Sequence, residues 1–178
     1  MESVALSDQQ LNYLARQDPV LTSYFRGVFP SDQLPESVNK RTSAYIVNTD
    51  PHDKPGLHWI AIWTDHGVCE MMDSYALPLE YYESKPLQRW TRKWKHVVSN
   101  GQALQSLSSK ACGHYCLFYL LAKAKGYAMQ DFLAYFSDKD YVANDHKVGL
   151  MLTHFIKDKR TWREACHRSS SQTCTSCQ

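Results

Sequence analysis

Cys112 is the residue of this sequence best placed to act as a nucleophile. It lies in an Ala-Cys-Gly segment, and the composition of residues 112–125 predicts a helix that begins at this point. A cysteine attacks as its thiolate, and the free thiol has a pKa of about 8.5. The unpaired N–H groups and the dipole of a helix N-terminus stabilise such an anion. We expect Ser108 or Ser109 to cap this helix.

Two alternatives exist for this pattern. Most cysteines in proteins are buried structural thiols, and Cys112 could be one of them. Cys116 lies one turn further along the same predicted helix and on the same face. Inside a helix it lacks the exposed dipole, so we expect Cys116 to pack in the core.

A predicted hairpin contains a candidate base for the thiol. The apolar runs 58–63 and 68–74 predict two strands, and polar turn residues separate them. We place the centre of the turn between Asp65 and His66. Residues that pair across such a hairpin project from the same face of the sheet.

In this register Trp63 pairs with Val68, and His58 falls opposite Asp73. Opposed residues have Cβ atoms about 4.5–5.5 Å apart, so the pair offers a base and a carboxylate that orients it. A slip of one residue would destroy the pair. The alternatives are a surface or structurally satisfied histidine and an aspartate that caps a turn.

Gln105 is a candidate oxyanion donor. It stands seven residues before Cys112, at the end of a predicted strand over 96–105. A tetrahedral intermediate needs donors aimed at its developing oxyanion, and the Gln105 amide and the Cys112 backbone N–H could supply two. Viewed alone, Gln105 is simply a polar residue.

Four separated motifs resemble one known family. The segments YIVNT, GLHWIAIW, MMDSYALP and QSLSSKACGHYC are similar to the adenovirus protease (adenain) family and its relatives in Maverick/Polinton elements and adintoviruses. The ubiquitin-like-modifier proteases are more distant relatives of this pattern. The resemblance covers roughly residues 7–160, and the four motifs agree with the family in order and spacing.

The resemblance implies an α+β fold related to the papain-like cysteine proteases, with a small mixed central sheet flanked by helices. It implies that His58 is the general base, Asp73 its orienting residue, Gln105 the oxyanion donor and Cys112 the nucleophile. It also implies that Trp59 shapes the substrate cleft beside the base. The alternative for Trp59 is an ordinary strand aromatic in the core.

The function implied by the resemblance is that of a cysteine endopeptidase. It would process viral or mobile-element structural precursor proteins during virion maturation. A viral chain would act in the virion and the host cell nucleus, and a chain of other origin would be intracellular. We expect a monomer that acts on protein or peptide substrates and requires no cofactor. One alternative is a protease for ubiquitin-like modifiers, which shares all four residues. Another is a nucleic-acid-binding or scaffold module with a decayed site, against which the intact quartet argues.

The sequence was searched for features that would bind the activators of the family. The family is activated by a short peptide that can be disulfide-linked to a cysteine upstream of the nucleophile, but no cysteine lies between Cys69 and Cys112. Covalent activation by a peptide is therefore not favoured. DNA could act as a cofactor through a basic run, although such a run is more often a solvated face. The residues of this basic run are Lys85, Arg89, Arg92, Lys93 and Lys95.

Composition favours one domain of residues 1–163, followed by a flexible Ser/Thr/Cys-rich tail of residues 164–178. The chain is 43% hydrophobic, which is enough for a core, and its net charge of +2 predicts no obligate nucleic-acid partner. No signal peptide or membrane span is expected. The six cysteines should mostly be thiols, and although those of the tail could bind zinc with His167, we expect no metal site.

The remaining patterns predict the order of the elements. Helices are expected after Ser7, with Gln10 completing a capping box, and after Asp18-Pro19. The other predicted elements are a loop over 27–43, a strand over 44–48, a helix over 79–95, and helices near 129–136 and 145–158, the last capped by Asn144.

Overall fold

A computed structural model describes residues 4–36 and 41–172 of the chain, with side chains as far as residue 158. The strands are β1 (Phe25–Phe29), β2 (Ser43–Asn48), β3 (Trp59–Asp65), β4 (Val68–Met72) and β5 (His96–Ser99). The helices are α1 (Asp8–Ala15), α2 (Pro19–Tyr24), α3 (Lys85–Thr91), α4 (Cys112–Ala124), α5 (Met129–Ala134) and α6 (Tyr141–Gln172), with a 3₁₀ helix at Leu79–Tyr82.

The five strands form one sheet in the order β1-β2-β3-β4-β5. The central strand β3 pairs antiparallel with β2 and with β4. At the two edges, β1 is parallel to β2 and β5 is parallel to β4. Parallel neighbours need a crossover connection, and the 3₁₀ helix with α3 supplies the one between β4 and β5. The predicted α+β class, with a small mixed sheet flanked by helices, is confirmed.

The two faces of the sheet pack into two separate cores. In β2, Ala44 and Ile46 face the core beneath α4, whereas Tyr45 and Val47 face the core beneath α3. Every residue of β2 is buried, because helices or loops cover both faces. This explains why the segment is a continuous apolar run and not an alternating one.

Helix α4 is the central helix of the fold. All its residues from Gly113 to Leu121 are buried, and it contacts β3 together with α1, α2, α5 and α6. A helix that is apolar on all sides belongs in a core. A Cβ on Gly113 would lie 3.2 Å from the Leu11 side chain, so glycine allows α1 to approach the first turn closely. The start of α4, and therefore Cys112, is held by packing.

The structure confirms both predicted N-terminal helix starts. Ser7 and Gln10 form a reciprocal capping box on α1. The Asp18 side chain accepts from two backbone N–H groups at the start of α2. These short-range signals depend only on neighbouring residues, which explains their success.

The predicted register of the hairpin is wrong by two residues. Asp65, and not Trp63, pairs with Val68, because the turn consists of only His66 and Gly67. Both turn residues have positive φ, 44° and 84°, which is the conformation of the tight turns that suit the twist of a hairpin. A shift of two residues leaves every side chain on its predicted face.

Several other boundaries also differ from the predictions. The loop predicted over 27–43 contains part of β1, the helix predicted over 79–95 is two shorter helices, and the strand predicted over 96–105 ends at Ser99. The last helix begins before Asn144, which lies inside it and therefore cannot cap it. Helix α6 continues through Gln172, across the first part of the predicted tail, while residues 173–178 lie outside the described residues.

Candidate active site

His58 and Asp73 form a buried pair at one edge of the sheet. His58 directly precedes β3 and Asp73 directly follows β4, and because these strands are antiparallel, the two residues lie at the same end. The His58 Nε2 and the Asp73 Oδ1 are 2.7 Å apart, and the residues are only 4% and 5% exposed. The predicted contact is present, although the predicted pairing that suggested it is not.

Asp73 is held by three further donors. Its Oδ1 accepts from the Tyr75 N–H at 2.9 Å, and its Oδ2 accepts from the Leu77 N–H at 3.2 Å and the Tyr82 hydroxyl at 2.6 Å. The carboxylate therefore caps a turn and binds His58 at once. These bonds and the charge on His58 outweigh burial, which favours the neutral acid, and the pKa of Asp73 is lowered.

The Asn100 side chain fixes the backbone of Asp73. Its Oδ1 accepts from the Asp73 N–H at 2.8 Å, and its Nδ2 donates to the Asp73 carbonyl at 2.7 Å. Asn100 directly follows β5, which pairs with β4. The outer strand thus holds the carboxylate in place after the β4 ladder ends.

His58 is a buried histidine that favours its charged form. Burial alone opposes the charge, but hydrogen bonds to Asp73 and to Cys112, with their negative charges, raise the pKa of His58 to about 9. At neutral pH the ring therefore carries a proton on each nitrogen. It also stacks on Tyr75 and Tyr82, with ring centroids 4.8 and 5.5 Å away, which fixes the plane of the imidazole.

Cys112 is the first residue of α4 and is half-buried. Because the Nε2 of His58 binds Asp73, the Nδ1 is the ring nitrogen left for the Cys112 side chain, which is hydrogen-bonded to His58. The predicted serine cap is wrong: the Ser109 hydroxyl accepts from the Ala111 N–H, and no described side chain caps α4. The first N–H groups of the helix therefore remain available to stabilise an anion.

Cys116 lies one turn below Cys112 and is fully buried in the core beneath α4. Burial raises the pKa of its thiol well above the ordinary range. The predicted core role of Cys116 is confirmed. The two thiols of this helix have opposite environments.

Gln105 is tied to the end of β4 and to the loop before Cys112. Its Oε1 accepts from the Ser74 hydroxyl at 2.7 Å, and its Nε2 donates to the Ser109 carbonyl at 2.8 Å and the Tyr75 hydroxyl at 3.2 Å. The residue is 3% exposed. Both amide hydrogens therefore have acceptors within the protein.

The Gln105 loop is also anchored to α6. The Asp145 carboxylate accepts from the backbone N–H and the hydroxyl of Ser106 and from the Tyr115 hydroxyl. The Asn144 amide donates to the Leu104 carbonyl at 3.1 Å. In place of the cap predicted for it, Asn144 fastens the loop that carries Gln105.

A groove of about 800 Å³ opens above these residues. His58, Trp59, Gln105 and Cys112 line it, and Asp73 lies behind His58. Trp59 packs partly against the core beneath α4 and donates its indole N–H to the Leu6 carbonyl at 3.1 Å. Trp59 therefore lines the groove and packs on the core at once, and its role toward a substrate stays a prediction.

The basic run lies apart from this groove. Its five side chains are exposed, and among the described residues that line the groove none belongs to the run. Only Lys85 and Arg89 lie within α3; the other three follow it. The nucleic-acid prediction for this surface stays a prediction.

The remaining expectations concern metals and membranes. The side chains of Cys166, His167, Cys174 and Cys177 lie outside the described residues. Among the side chains that are described, no group of three or more His, Cys, Asp or Glu could hold a metal ion. In the same part of the chain, no helix has the length and apolarity needed to cross a membrane.

Comparison with curated proteins gives two matches from adenoviruses. The chain is 29% identical over 113 residues to the protein named Protease of Bovine adenovirus 7, and 29% identical over 117 residues to that of Bovine adenovirus 4. The chain resembles the adenovirus proteases. Each alignment covers 56% of this chain, and the chain spans about half the length of these relatives, 55% and 56%.

No protein-family model matches the sequence. The match to the solved structure of the ASFV pS273R protease covers 80% of this chain and 67% of the chain of that protease, with 15% identity and a TM-score of 0.46. A TM-score below 0.5 supports no conclusion about fold or function. The relationship of this fold to the papain-like enzymes therefore stays a prediction.

Three residues of the candidate site were missed from the sequence. Tyr82 and Asn100 contact Asp73 only through tertiary structure, and no local signal indicates them. Tyr75 could have been found, because an aspartate side chain commonly binds the N–H two residues further on. The interpretation of Asp73 as a turn cap already predicts a hydrogen bond from the Tyr75 N–H.

Proposed function

We propose that this chain is a cysteine endopeptidase with Cys112 as nucleophile, His58 as general base and Asp73 as its orienting residue. One observation carries the proposal: a buried His58–Asp73 pair, with the pKa of His58 raised, is hydrogen-bonded to a half-buried thiol at a helix start, inside a groove. Nucleophile, base and orienting group in this order define activated-nucleophile catalysis. The similarity to adenovirus proteins named Protease supports the same reaction.

The proposed chemistry is acyl transfer. In the reactive form the Cys112 proton resides on His58, the thiolate sulfur bonds to the scissile carbonyl carbon, and the π electrons of the carbonyl move to its oxygen. When the carbonyl reforms, the C–N bond breaks and the His58 proton passes to the leaving amine. Water then adds to the thioester, the C–S bond breaks, and a carboxylate and the free thiol result.

This chemistry needs no metal or cofactor beyond the described side chains. Asp73 holds the Nε2 side of the ring, which directs the Nδ1 toward the sulfur. The helix N-terminus and the protonated His58 would both stabilise the thiolate. We further propose, from the family resemblance, that the substrates are viral or mobile-element structural precursors, cut during virion maturation by a monomer in the virion or host nucleus.

The proposal is tested with internally quenched peptides that carry Gly-Gly at the centre, because the resemblance implies cleavage beside small residues. We expect the wild-type chain to cleave at least one such peptide. Cys112→Ala should lower kcat/KM by at least about 10⁴-fold, while the matched control Cys116→Ala keeps the activity within about threefold. Equal activity of Cys112→Ala and wild type would contradict the proposal.

A probe also separates the related activity on ubiquitin-like modifiers. Modifier vinyl sulfones alkylate a catalytic thiol only when the modifier itself is bound. Efficient labelling of Cys112 by such a probe, without cleavage of the peptides, would favour a modifier protease over precursor processing.

A further inference from the structure

The loop that carries Gln105 takes its conformation from tertiary contacts. Residues 100–111 form neither helix nor strand, so no regular hydrogen-bond ladder sets the direction of the Gln105 side chain. On the side before Gln105, its own N–H and that of Leu104 donate to the Ser74 carbonyl at 3.1 and 2.8 Å. The Leu104 carbonyl accepts from the Asn144 amide at 3.1 Å. One side of the loop is therefore fixed by the end of β4 and by α6.

The carboxylate of Asp145 anchors the other side of Gln105. Its Oδ2 accepts from the Ser106 N–H at 3.1 Å and from the Ser106 hydroxyl at 2.6 Å, and its Oδ1 accepts from the Tyr115 hydroxyl at 2.9 Å. Asp145 is 8% exposed and Tyr115 is fully buried, so these bonds are costly to leave unmade. Tyr115 follows Cys112 by one turn of α4. One side chain of α6 therefore ties the Gln105 loop to the helix that carries the nucleophile.

This link bears on catalysis because the position of an oxyanion donor relative to the sulfur decides how well it stabilises the developing charge. The family resemblance implies that Gln105 is such a donor. The longer of its two Nε2 contacts, 3.2 Å, is to the hydroxyl of Tyr75, which lines the groove. Catalytic hydrogen bonds commonly tighten only when substrate is bound, and this is the hydrogen that an oxyanion in the groove would accept. A displacement of about 1 Å can cost roughly 10²-fold in rate.

We propose that Asp145 is a positioning residue, whose carboxylate holds the Gln105 amide where the oxyanion formed at Cys112 requires it. The inference rests on the proposed endopeptidase function and on the role of Gln105 that the resemblance implies. Asp145 is not among the described residues that line the active-site groove. It lies behind the Gln105 loop, where it lines a second cavity together with Ser106. Asp145 therefore touches no reacting atom and acts through the loop.

Two substitutions of Asp145 test this role. Asp145→Ala removes all its bonds to Ser106 and Tyr115, so we expect kcat on the Gly-Gly peptides to fall at least about tenfold, with KM within about threefold. In Asp145→Asn the side-chain oxygen can still accept from Ser106, while its amide donates to the Tyr115 oxygen and the Tyr115 hydrogen turns to the Leu104 carbonyl, 3.2 Å away. This variant should keep kcat within about threefold of wild type.

Asp138→Ala is the matched control, because it changes an exposed aspartate in the loop before α6 and outside the groove. It should leave kcat unchanged. Equal losses of kcat in Asp138→Ala and Asp145→Ala would show that any aspartate near this end of α6 has the same effect, and the inference would be wrong.

Coupling to Gln105 separates positioning from general destabilisation. Gln105→Ala alone should lower kcat by roughly 10²-fold, the loss found for a single oxyanion donor. In that background Asp145→Ala should change kcat by no more than about threefold, because residues that act through one group are not additive. Losses that multiply in the double variant, or a kcat of Asp145→Ala within about threefold of wild type, would overturn the inference.

Alkylation of Cys112 by iodoacetamide tests whether Asp145 acts on the thiol instead. That reaction displaces iodide at a saturated carbon and forms no oxyanion, so its rate and pH midpoint in Asp145→Ala should stay within about twofold of wild type. A fall in alkylation that parallels the fall in kcat would mean that Asp145 acts through Cys112 and its helix, which contradicts a role through Gln105.

A milder variant keeps the test open if Asp145→Ala does not fold. Ser106→Ala removes only the hydroxyl bond to the carboxylate and leaves the Ser106 N–H and Tyr115 bonds in place. We expect kcat to fall about threefold or more in the wild-type background and to stay unchanged in Gln105→Ala. A kcat of Ser106→Ala equal to wild type would count against the inference in the same way.

Failure of the proposed function gives a different result. If the wild-type chain cleaves no peptide, or if Cys112→Ala cleaves as fast as wild type, the endopeptidase proposal fails and the role of Asp145 fails with it. If wild type cleaves through Cys112 and either Gln105→Ala or Asp145→Ala is as active as wild type, only the inference about Asp145 fails.

Discussion

His58 and His114 are both buried, 4% and 3% exposed, but their ionisation is opposite. His58 has a carboxylate partner and a thiol partner, and its pKa is raised to about 9. The Nδ1 of His114 has no hydrogen-bond partner among the described residues, and burial lowers the pKa of that ring to about 4. Burial alone favours the neutral ring in both cases, so the opposite pKa shifts come from the hydrogen-bond partners that His58 has and the Nδ1 of His114 lacks among the described residues.

The position of each histidine in the fold explains its ionisation. His114 lies inside α4, where packing excludes water and the negative charge of Asp145 offsets the cost of burial only in part. His58 lies where two strands end, and the chain leaving β4 brings Asp73 and its donors alongside. Irregular backbone at the end of a ladder can surround a carboxylate with N–H groups, which a continuous helix cannot do.

The substitution Asp73→Asn should produce the largest change. The amide keeps the shape of the side chain but removes the charge that raises the pKa of His58 and orients its ring, so we expect kcat/KM to fall by roughly 10²-fold or more. The alkaline limb of the pH profile should also move down from about pH 9. Peptide cleavage measured from pH 5 to 10 gives both quantities; an unmoved limb would show that Asp73 does not control His58.

Stability should depend on pH through both histidines, in opposite directions. The folded pKa of His114 lies below the ordinary 6.5, so the free energy of unfolding should fall as pH decreases from 6.5 to about 4, by roughly 3 kcal/mol at most. The folded pKa of His58 lies above 6.5, so its contribution is complete below pH 6.5 and is lost as pH rises toward 9.

Urea unfolding of matched variants separates these two slopes. His114→Phe should flatten the acid slope and His58→Ala the alkaline slope. An acid slope unchanged in His114→Phe would show that other groups govern stability in that range.

The Tyr82 hydroxyl should have a smaller effect. Tyr82→Phe keeps the ring stacked on His58 and removes one of the donors to Asp73. Because two backbone N–H donors and the protonated His58 still bind the Asp73 carboxylate, we expect a loss of about tenfold in kcat/KM, near 1.4 kcal/mol. Steady-state assays beside Tyr81→Phe, an exposed neighbour, would measure it; equal losses in both would remove any specific role of the Tyr82 hydroxyl.

The basic run should have the smallest effect on the chemistry. Arg89→Glu combined with Lys93→Glu changes two exposed side chains outside the groove, so cleavage of a neutral peptide without DNA should stay within about twofold. A larger loss would connect this surface to the site. Repeating the assay with added duplex DNA tests the prediction of a nucleic-acid cofactor.

Much of the candidate site could be predicted because its signals are local or depend on the face of a strand. The hairpin prediction had the wrong register and the right contact, since a shift of two residues preserves the face. With the observed register continued by one pair, Asp73 lies opposite Ile60 and diagonal to His58. Long side chains reach across a diagonal.

The rest depends on tertiary structure and could not be predicted in this way. Asn100 meets Asp73 only because β5 is parallel to β4, and Asp145 holds the Gln105 loop only because α6 folds back on it. Asn144 resembled a helix cap because it precedes an apolar segment. Asp140, four residues earlier, instead binds the Ala143 N–H near the start of the helix.

The most direct test of the account compares the two thiols of α4 in one folded protein. Alkylation by iodoacetamide, quantified at Cys112 and Cys116 by mass spectrometry across pH 5 to 10, measures the reactivity that the His58–Asp73 pair confers. We expect Cys112 to be labelled at least about 10²-fold faster than Cys116 at pH 7, and Asp73→Asn to reduce that ratio. Equal labelling of the two thiols, or a ratio unchanged in Asp73→Asn, would contradict the claim that this pair activates Cys112.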